Sequence, residues 1–201
     1  RQRLARQPAL CKYSPMSEQQ KPRRKIPRKA TSRYLQNSAL HYLSRFATSS
    51  ANLKQVMMRK VLRSAKHHDT DPDEGLVLVE DMIARFLHSG LLDDGAYARA
   101  RAASLHRRGN SSRIIRGKLK QKGLDDDDIG HALAALSLDD EDPERTAAIR
   151  FARRRRLGPF SVRQLDDEAR EKHLAAMARA GFSYDMARRI IDAAGEDDLL
   201  F

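Results

Sequence analysis

"NSSRIIRGKLKQKGLDDDDIGHALAAL", residues 110–136, holds two helices and the stop between them. The Asn-Ser-Ser opening supplies side-chain acceptors for the first free N–H groups of a helix. Ile114, Ile115 and Leu119 recur at helical spacing over residues 112–122, and Gly123 closes the segment, as glycine does just past a helix C-terminus. Asp125 to Asp128 open the next helix, where carboxylates oppose the positive end of the macrodipole. Ile129, Ala132, Leu133 and Leu136 follow at i, i+3, i+4 and i+7 over residues 125–136. Two short helices with narrow apolar seams, joined at a glycine, are the pattern to look for elsewhere.

The pattern extends in both directions. Upstream, residues 94–108 carry Tyr97, Ala100, Ser104 and Leu105 and end at Gly109. Residues 76–89 carry Leu76, Val79, Ile83, Phe86 and Leu87 and end at Gly90. Residues 50–65 place Leu53, Val56, Met57 and Val61 on one face. Residues 33–47 carry Leu35, Leu40, Leu43 and Phe46, before the break "ATSS". Downstream come residues 144–157, then 166–180 with Ala169, His173 and Met177. Residues 184–194 carry Ala187, Ile190, Ile191 and Ala194. No run alternates with the period of a strand. Two acidic linkers, "KHHDTDPDEG" (66–75) and "LDDEDP" (138–143), divide the helices into three sets.

The sets match one another weakly. "SSRIIRGKL" (111–119) aligns with "SSANLKQVM" (49–57), pairing Ile115 with Leu53 and Leu119 with Met57. "GLDDDDIGHAL" (123–133) aligns with "GFSYDMARRII" (181–191), pairing Ile129 with Ala187. The expected fold is all-α: an elongated tandem array of three three-helix repeats behind a disordered basic N-terminal tail. The expected units are residues 31–92, 93–138 and 139–195, with tails at 1–30 and 196–201. From the residues alone a generic helical bundle fits equally well.

Charge is unevenly placed. The chain of 201 residues has a formal net charge of +12, but residues 1–33 contain 11 Lys/Arg and one acid, Glu18. The other residues hold 28 Lys/Arg and 26 Asp/Glu, a net charge of +2. The high pI therefore belongs mostly to the tail. With Pro8, Pro15, Pro22 and Pro27 and no apolar period, residues 1–30 cannot bury enough surface to offset their ordering entropy. Cys11 is the only cysteine, so there is no internal disulfide. No apolar run approaches the roughly 20 residues of a membrane span, and no signal-peptide core follows the basic start. A cytoplasmic, monomeric protein is expected. "MSEQQ" suggests that Met16 opens the native chain and that residues 1–15 precede it.

Two segments carry a family resemblance. "LLDDGAYARA" (91–100) leads into "RRGNSSRIIRGKLKQKGLDDDDI" (107–129). This order of an Asp-rich start, a Tyr-Ala helix, a basic helix ending in Lys-Gly and an acidic third helix resembles the central segment of the bacterial RecX regulators. "RRRRLGPF" (153–160) followed by "DEAREKHLAAMARAGFSYDMARRII" (167–191) resembles their C-terminal unit. The likeness covers about residues 32–195. The first unit departs from the pattern, lacking a Lys-Gly end after Val61-Leu62. The resemblance implies a helical-repeat regulatory protein of DNA repair, recombination and the SOS response. It implies binding to the RecA recombinase filament on single-stranded DNA. It further implies modulation, mainly inhibition, of RecA's ATPase, strand-exchange and co-protease activities.

The residues that can carry such binding are cations. Arg113, Arg116 and Lys120 form one stripe of the 112–122 helix, with Lys118 and Lys122 beside its apolar face. Arg107 and Arg108 precede it. Arg153, Arg154, Arg155 and Arg156 exceed what a helix C-terminus can use, and their mutual repulsion favours a nearby anion. Arginine's forked donors suit carboxylate and phosphate alike. These eleven residues are the expected partner-binding set, for RecA filament or DNA. Consecutive aspartates point about 100° apart on a helix, so Asp125 to Asp128 cannot converge on one ion. His67 and His68 sit in an acidic linker, but adjacent residues rarely ligate one ion and no cysteine is near. No phosphate-binding loop, dinucleotide fingerprint or nucleophile elbow occurs, so no catalytic residue, metal or cofactor is expected. Five Tyr and six Phe are spread thinly, and most fall on expected core positions (Phe46, Phe86, Tyr97, Phe151), which argues against base stacking as the main activity. A DNA-binding architectural or regulatory protein, acting through its tail and cationic stripes without RecA, is the alternative.

Overall fold

The computed structural model describes residues 26–162 and 166–199. The expected start at Met16 and the expected disorder over residues 1–25 lie outside them. Ten α-helices and two short 3₁₀ turns, and no strand, form the described residues. The first unit is α1 (Ser32–Leu43), α2 (Ser50–Ala65) and α3 (Pro72–His88). The second is α4 (Asp94–Arg107), α5 (Ser112–Lys120), α6 (Asp126–Ala134) and the single turn α7 (Leu136–Asp139). The third is α8 (Pro143–Arg155), α9 (Asp167–Arg179) and α10 (Tyr184–Ile191).

Each unit has its own core. Leu53, Met57 and Val61 of α2 meet Val79, Met82 and Phe86 of α3. Ala98, Ala102 and Leu105 of α4 meet Ile115, Leu119 and Ile129. Ala147, Ala148 and Ala152 of α8 meet Met177, Phe182 and Ile190. The first helices of units two and three thus face their neighbours with alanine, which lets backbones approach closely and leaves little apolar surface to bury. Separate cores in chain order make the molecule an elongated array rather than a ball. Serine, threonine or aspartate caps nearly every helix: Thr31, Ser49, Asp93, Ser111, Asp125, Asp166 and Ser183 each accept a backbone N–H from the first turn.

One joint connects the units, and it occurs twice. Ser49, the cap of α2, donates its hydroxyl to the Lys122 carbonyl at 2.5 Å, just beyond α5. Ser50 gives its N–H (2.8 Å) and its hydroxyl (2.5 Å) to the two carboxylate oxygens of Asp94, at the start of α4. Ser111, the cap of α5, likewise donates to the Ala180 carbonyl at 2.6 Å, just beyond α9. Ser112 gives its N–H (2.9 Å) and hydroxyl (2.6 Å) to Glu144, at the start of α8. A glycine lets each pair close up: a Cβ on Gly123 would lie 2.4 Å from that of Ala51, and one on Gly181 2.6 Å from Ser111 Oγ. Ser49 and Ser111 are fully buried. Removing one carboxylate leaves two half-buried donors, the N–H and hydroxyl of Ser50 or Ser112, without their charged acceptor. Glu144→Ala is expected to cost about 1–3 kcal/mol in urea denaturation; no change would show that the joint contributes nothing.

Among the described residues the joint has no third copy. Where α2 and α5 open with Ser-Ser, α9 opens with Asp166-Asp167. The first turn of α1 carries no acid. The end of α2 is instead covered by the chain's own residues: the Ala30 N–H donates to Ser64 Oγ at 2.9 Å, and His68 Nε2 donates to the Pro27 carbonyl at 2.6 Å.

Several expectations are corrected. Residues 27–30 were expected in the tail, but Ala30 is buried in the first core. Residues 196–199 were expected as a tail, but Leu199 is buried in the third core and its carbonyl accepts from Arg145 at 2.5 Å. Helix α1 stops at Leu43, not residue 47, because the chain must turn for Ser49 to cap α2; Phe46 is left 54% exposed. Helix α3 starts inside the expected acidic linker, with Asp71 as cap and Pro72 in its first turn, where a missing N–H costs nothing. The expected 125–136 helix breaks at Ala135 into α6 and α7. In α4 the buried face is Ala98-Ala102-Leu105, while Tyr97 is only partly buried.

Candidate partner-binding surface

The second joint gathers cations from both of its units. Gly109, at φ 70°, ends the α4 turn and lies against the backbone of α8: an added Cβ would sit 2.7 Å from the Phe151 nitrogen. That contact brings the two arginine clusters together. Arg154 Nη1 donates to the Arg108 carbonyl, and its guanidinium lies 5.6 Å from the centre of the Phe151 ring. Arg113, on α5, stands next to Gly181, with its Cβ 3.4 Å from where a glycine Cβ would be. Arg155 lines a groove of about 440 Å³ with Phe151, Leu157, Ala176, Arg179 and Ala180. Ala180 is the residue whose carbonyl Ser111 holds. Arg108, Arg113, Arg154 and Arg155 therefore surround one joint.

The other expected residues divide differently. Arg116 and Lys120 pair with Asp126 at 3.8 and 3.0 Å. Lys118 Nζ donates to Asn110 Oδ1 at 2.8 Å. Lys122 sits at the first joint and donates to Asn52 Oδ1 at 3.3 Å. Arg153 pairs with Glu196 at 2.8 Å and lies 5.2 Å from the Phe160 ring centre. Arg107 lines a smaller cavity with His106, Asp140 and Arg150. The exposed ion pairs contribute little to stability. Arg179 is a residue that sequence reasoning missed. Its only local signal was its place one residue before Ala180-Gly181, the end that Ser111 grips.

Arg156 is unusual in its backbone. It takes φ 57° and ψ 49°, the left-handed conformation that ends α8, ahead of Gly158. From the sequence, Gly158 ends the helix and Pro159 prevents its continuation; the left-handed residue that ends it is Arg156. A side chain there costs about 1–2 kcal/mol relative to a relaxed backbone, and glycine's larger unfolded-state freedom offsets part of the relief. Arg156→Gly is expected to raise Tm by about 2–4 °C while removing one cation; a lower Tm would contradict the strain.

Titration adds to the picture of the third unit. The Gly158 N–H donates to His173 Nδ1 at 3.2 Å, so the ring accepts there in its neutral form. Burial holds the His173 pKa below its ordinary value. Folding therefore weakens as pH falls below about 6.5, where the unfolded ring takes a proton that the folded ring resists. The Arg170 fork on Asp192, at 2.6 and 2.7 Å, holds that carboxyl below the usual range and ties α9 to the end of α10. Burial, with Asp125, Asp94 and Asp93 nearby, raises the pKa of Asp128 at the start of α6. Among the described residues no group of three or more His, Cys, Asp or Glu could hold a metal ion. No described helix is long and apolar enough to cross a membrane.

Comparisons with known proteins agree with this architecture. Residues 93–133, α4 to most of α6, match the model of the RecX second three-helix domain. Regulatory protein RecX of Myxococcus xanthus (strain DK1622) is 42% identical over 170 residues, covering 84% of this chain and 90% of that protein. Regulatory protein RecX of Agrobacterium fabrum (strain C58) is 32% identical over 170 residues, covering 83% and 88%. A crystal structure of regulatory protein RecX superposes with a TM-score of 0.60 at 22% identity, over 81% of this chain and 72% of that one. The crystal structure of RecX from Lactobacillus salivarius gives 0.57 at 21% identity, over 80% and 94%. An all-helical array of separately cored units, and relatives matched along nearly their whole length, place the chain in the RecX family of regulatory proteins.

Proposed function

We propose that the chain binds the RecA filament on single-stranded DNA and lowers RecA's ATPase, strand-exchange and co-protease activities. One observation carries the reading. The second joint holds cations of two successive units, Arg108 and Arg113 with Arg154 and Arg155, in fixed register. A polymer presents its acidic groups at regular intervals, and a rigid array of repeats presents cations in the same manner. The regulatory role printed for its relatives points the same way.

The mechanism is steric and electrostatic. The array lies along the filament and contacts more than one RecA subunit. Holding one filament geometry hinders the subunit motions that ATP turnover needs, and occupying the groove hinders other substrates. A protein acting this way needs no catalytic residue, and it acts as a monomer in the cytoplasm. The test is the ATPase of the cognate RecA on single-stranded DNA, titrated with this chain. Turnover should fall in a saturable way. Unchanged turnover at saturating protein would overturn the reading.

A further inference from the structure

Away from the second joint, the first unit has a groove of about 520 Å³ between the start of α1 and the side of α2. Its lining includes Arg28, Lys29, Arg33 and Lys60, together with Tyr34 and Asn37. Among the described residues no carboxylate lines it. This contrasts with α5, where Arg116 and Lys120 lean on Asp126. Arg28, Lys29 and Arg33 are exposed and have no ion pair among the described residues, and Lys60 has only the Tyr34 ring, 5.6 Å from its Nζ to the centroid. Four cations around one groove repel one another unless an anion sits among them. In the sequence before Arg28, residues 1–25 carry eight Lys/Arg and one acid.

We propose that this groove is a separate anion site that takes the phosphodiester backbone of single-stranded nucleic acid. Forked and point cations together with hydroxyl and amide groups are the set that holds phosphate without reading sequence. Thr31, Asn37 and Ser38 supply the neutral groups. The groove is open at the surface rather than enclosed, which suits a strand passing through more than a small metabolite. An acidic polypeptide offers the same charge. It leaves the neutral donors on α1 with less to do, because a carboxylate carries two acceptor oxygens at the end of a side chain rather than a continuous polar strand. The site does not depend on RecA, so it stands or falls separately from the proposed inhibition.

The experiment measures binding of the full chain to fluorescent oligo-dT, without RecA, between 50 and 200 mM salt. Arg33→Gln with Lys60→Gln removes two phosphate contacts. The slope of log affinity against log salt should become shallower by about 1.4, since each phosphate neutralised on a single strand contributes about 0.7. Affinity at 50 mM should fall about tenfold or more. Lys54→Gln with Lys172→Gln removes the same charge elsewhere and should change neither by as much. Circular dichroism confirms that both variants are folded. An unchanged slope in the groove variant overturns the site. Equal losses in both variants overturn it too, by showing a general charge effect. Poly-glutamate, bound as tightly as oligo-dT and lost in the same variant, overturns it in favour of an acidic protein partner.

Discussion

Replacing Gly109 by valine should destabilise the protein by about 2–5 kcal/mol. Two effects add. The residue sits at φ 70°, where a β-branched side chain is strained by about 1–2 kcal/mol. Its Cβ would also lie 2.7 Å from the Phe151 nitrogen and 3.0 Å from the Ala147 carbonyl oxygen. Those are backbone atoms of α8 and cannot swing away, so the units must separate at about the cost of overpacking a core, 1–3 kcal/mol. Gly90→Ala is the control. Gly90 also has positive φ, 72°, but nothing lies within 4 Å of an added Cβ, so only the backbone term remains. Urea midpoints of the two variants separate the terms. Equal losses would mean that the close approach of the second and third units contributes no stability.

Reversing charge at the second joint should have the largest effect on binding. Arg108, Arg154, Arg155 and Arg179 surround the joint, and none of their carbon skeletons fills a core. Four glutamates there would face an anionic partner with repulsion costing several kcal/mol. A loss of about 2–4 kcal/mol corresponds to roughly 30- to 700-fold in affinity for the RecA filament. The same change on α5, at Arg116, Lys118 and Lys120, should weaken binding less, since those side chains already have internal partners. The measurement is co-sedimentation with preformed filaments, with helicity checked by circular dichroism. Equal affinity of the joint variant and the wild type would remove the joint from the site.

Much of this was readable from local signals. Helix order follows from apolar spacing, caps and glycines: Gly109, Gly123, Gly158 and Gly181 all take positive φ. The short match between Ser49-Ser50 and Ser111-Ser112 was visible as a repeat, though its meaning was not. Its carboxylate partners, Asp94 and Glu144, lie 44 and 32 residues away, and a long-range polar pair leaves no periodic trace. The core face of α4 was misplaced because alanines fill both faces, so apolar spacing could not tell Ala98 from Ala100. Of the expected cations on α5, Arg116 and Lys120 are partnered by Asp126 and Lys118 by Asn110, all within the unit. Arg179 was missed because a lone arginine near a helix end has an ordinary use there. The groove on α1 was missed because Arg28 and Lys29 were read with the tail, while Lys60 is contributed by another helix.

The most direct test titrates the protein onto preformed RecA filaments and onto the same single-stranded DNA without RecA, at 50 and 200 mM salt. If the array reads the filament, its affinity for the filament at 200 mM should exceed that for bare DNA by at least about tenfold, with the shallower salt dependence, because screening weakens a phosphate-only contact most. Equal affinities with one steep salt slope would contradict it, and would leave a DNA-binding regulator that acts without RecA.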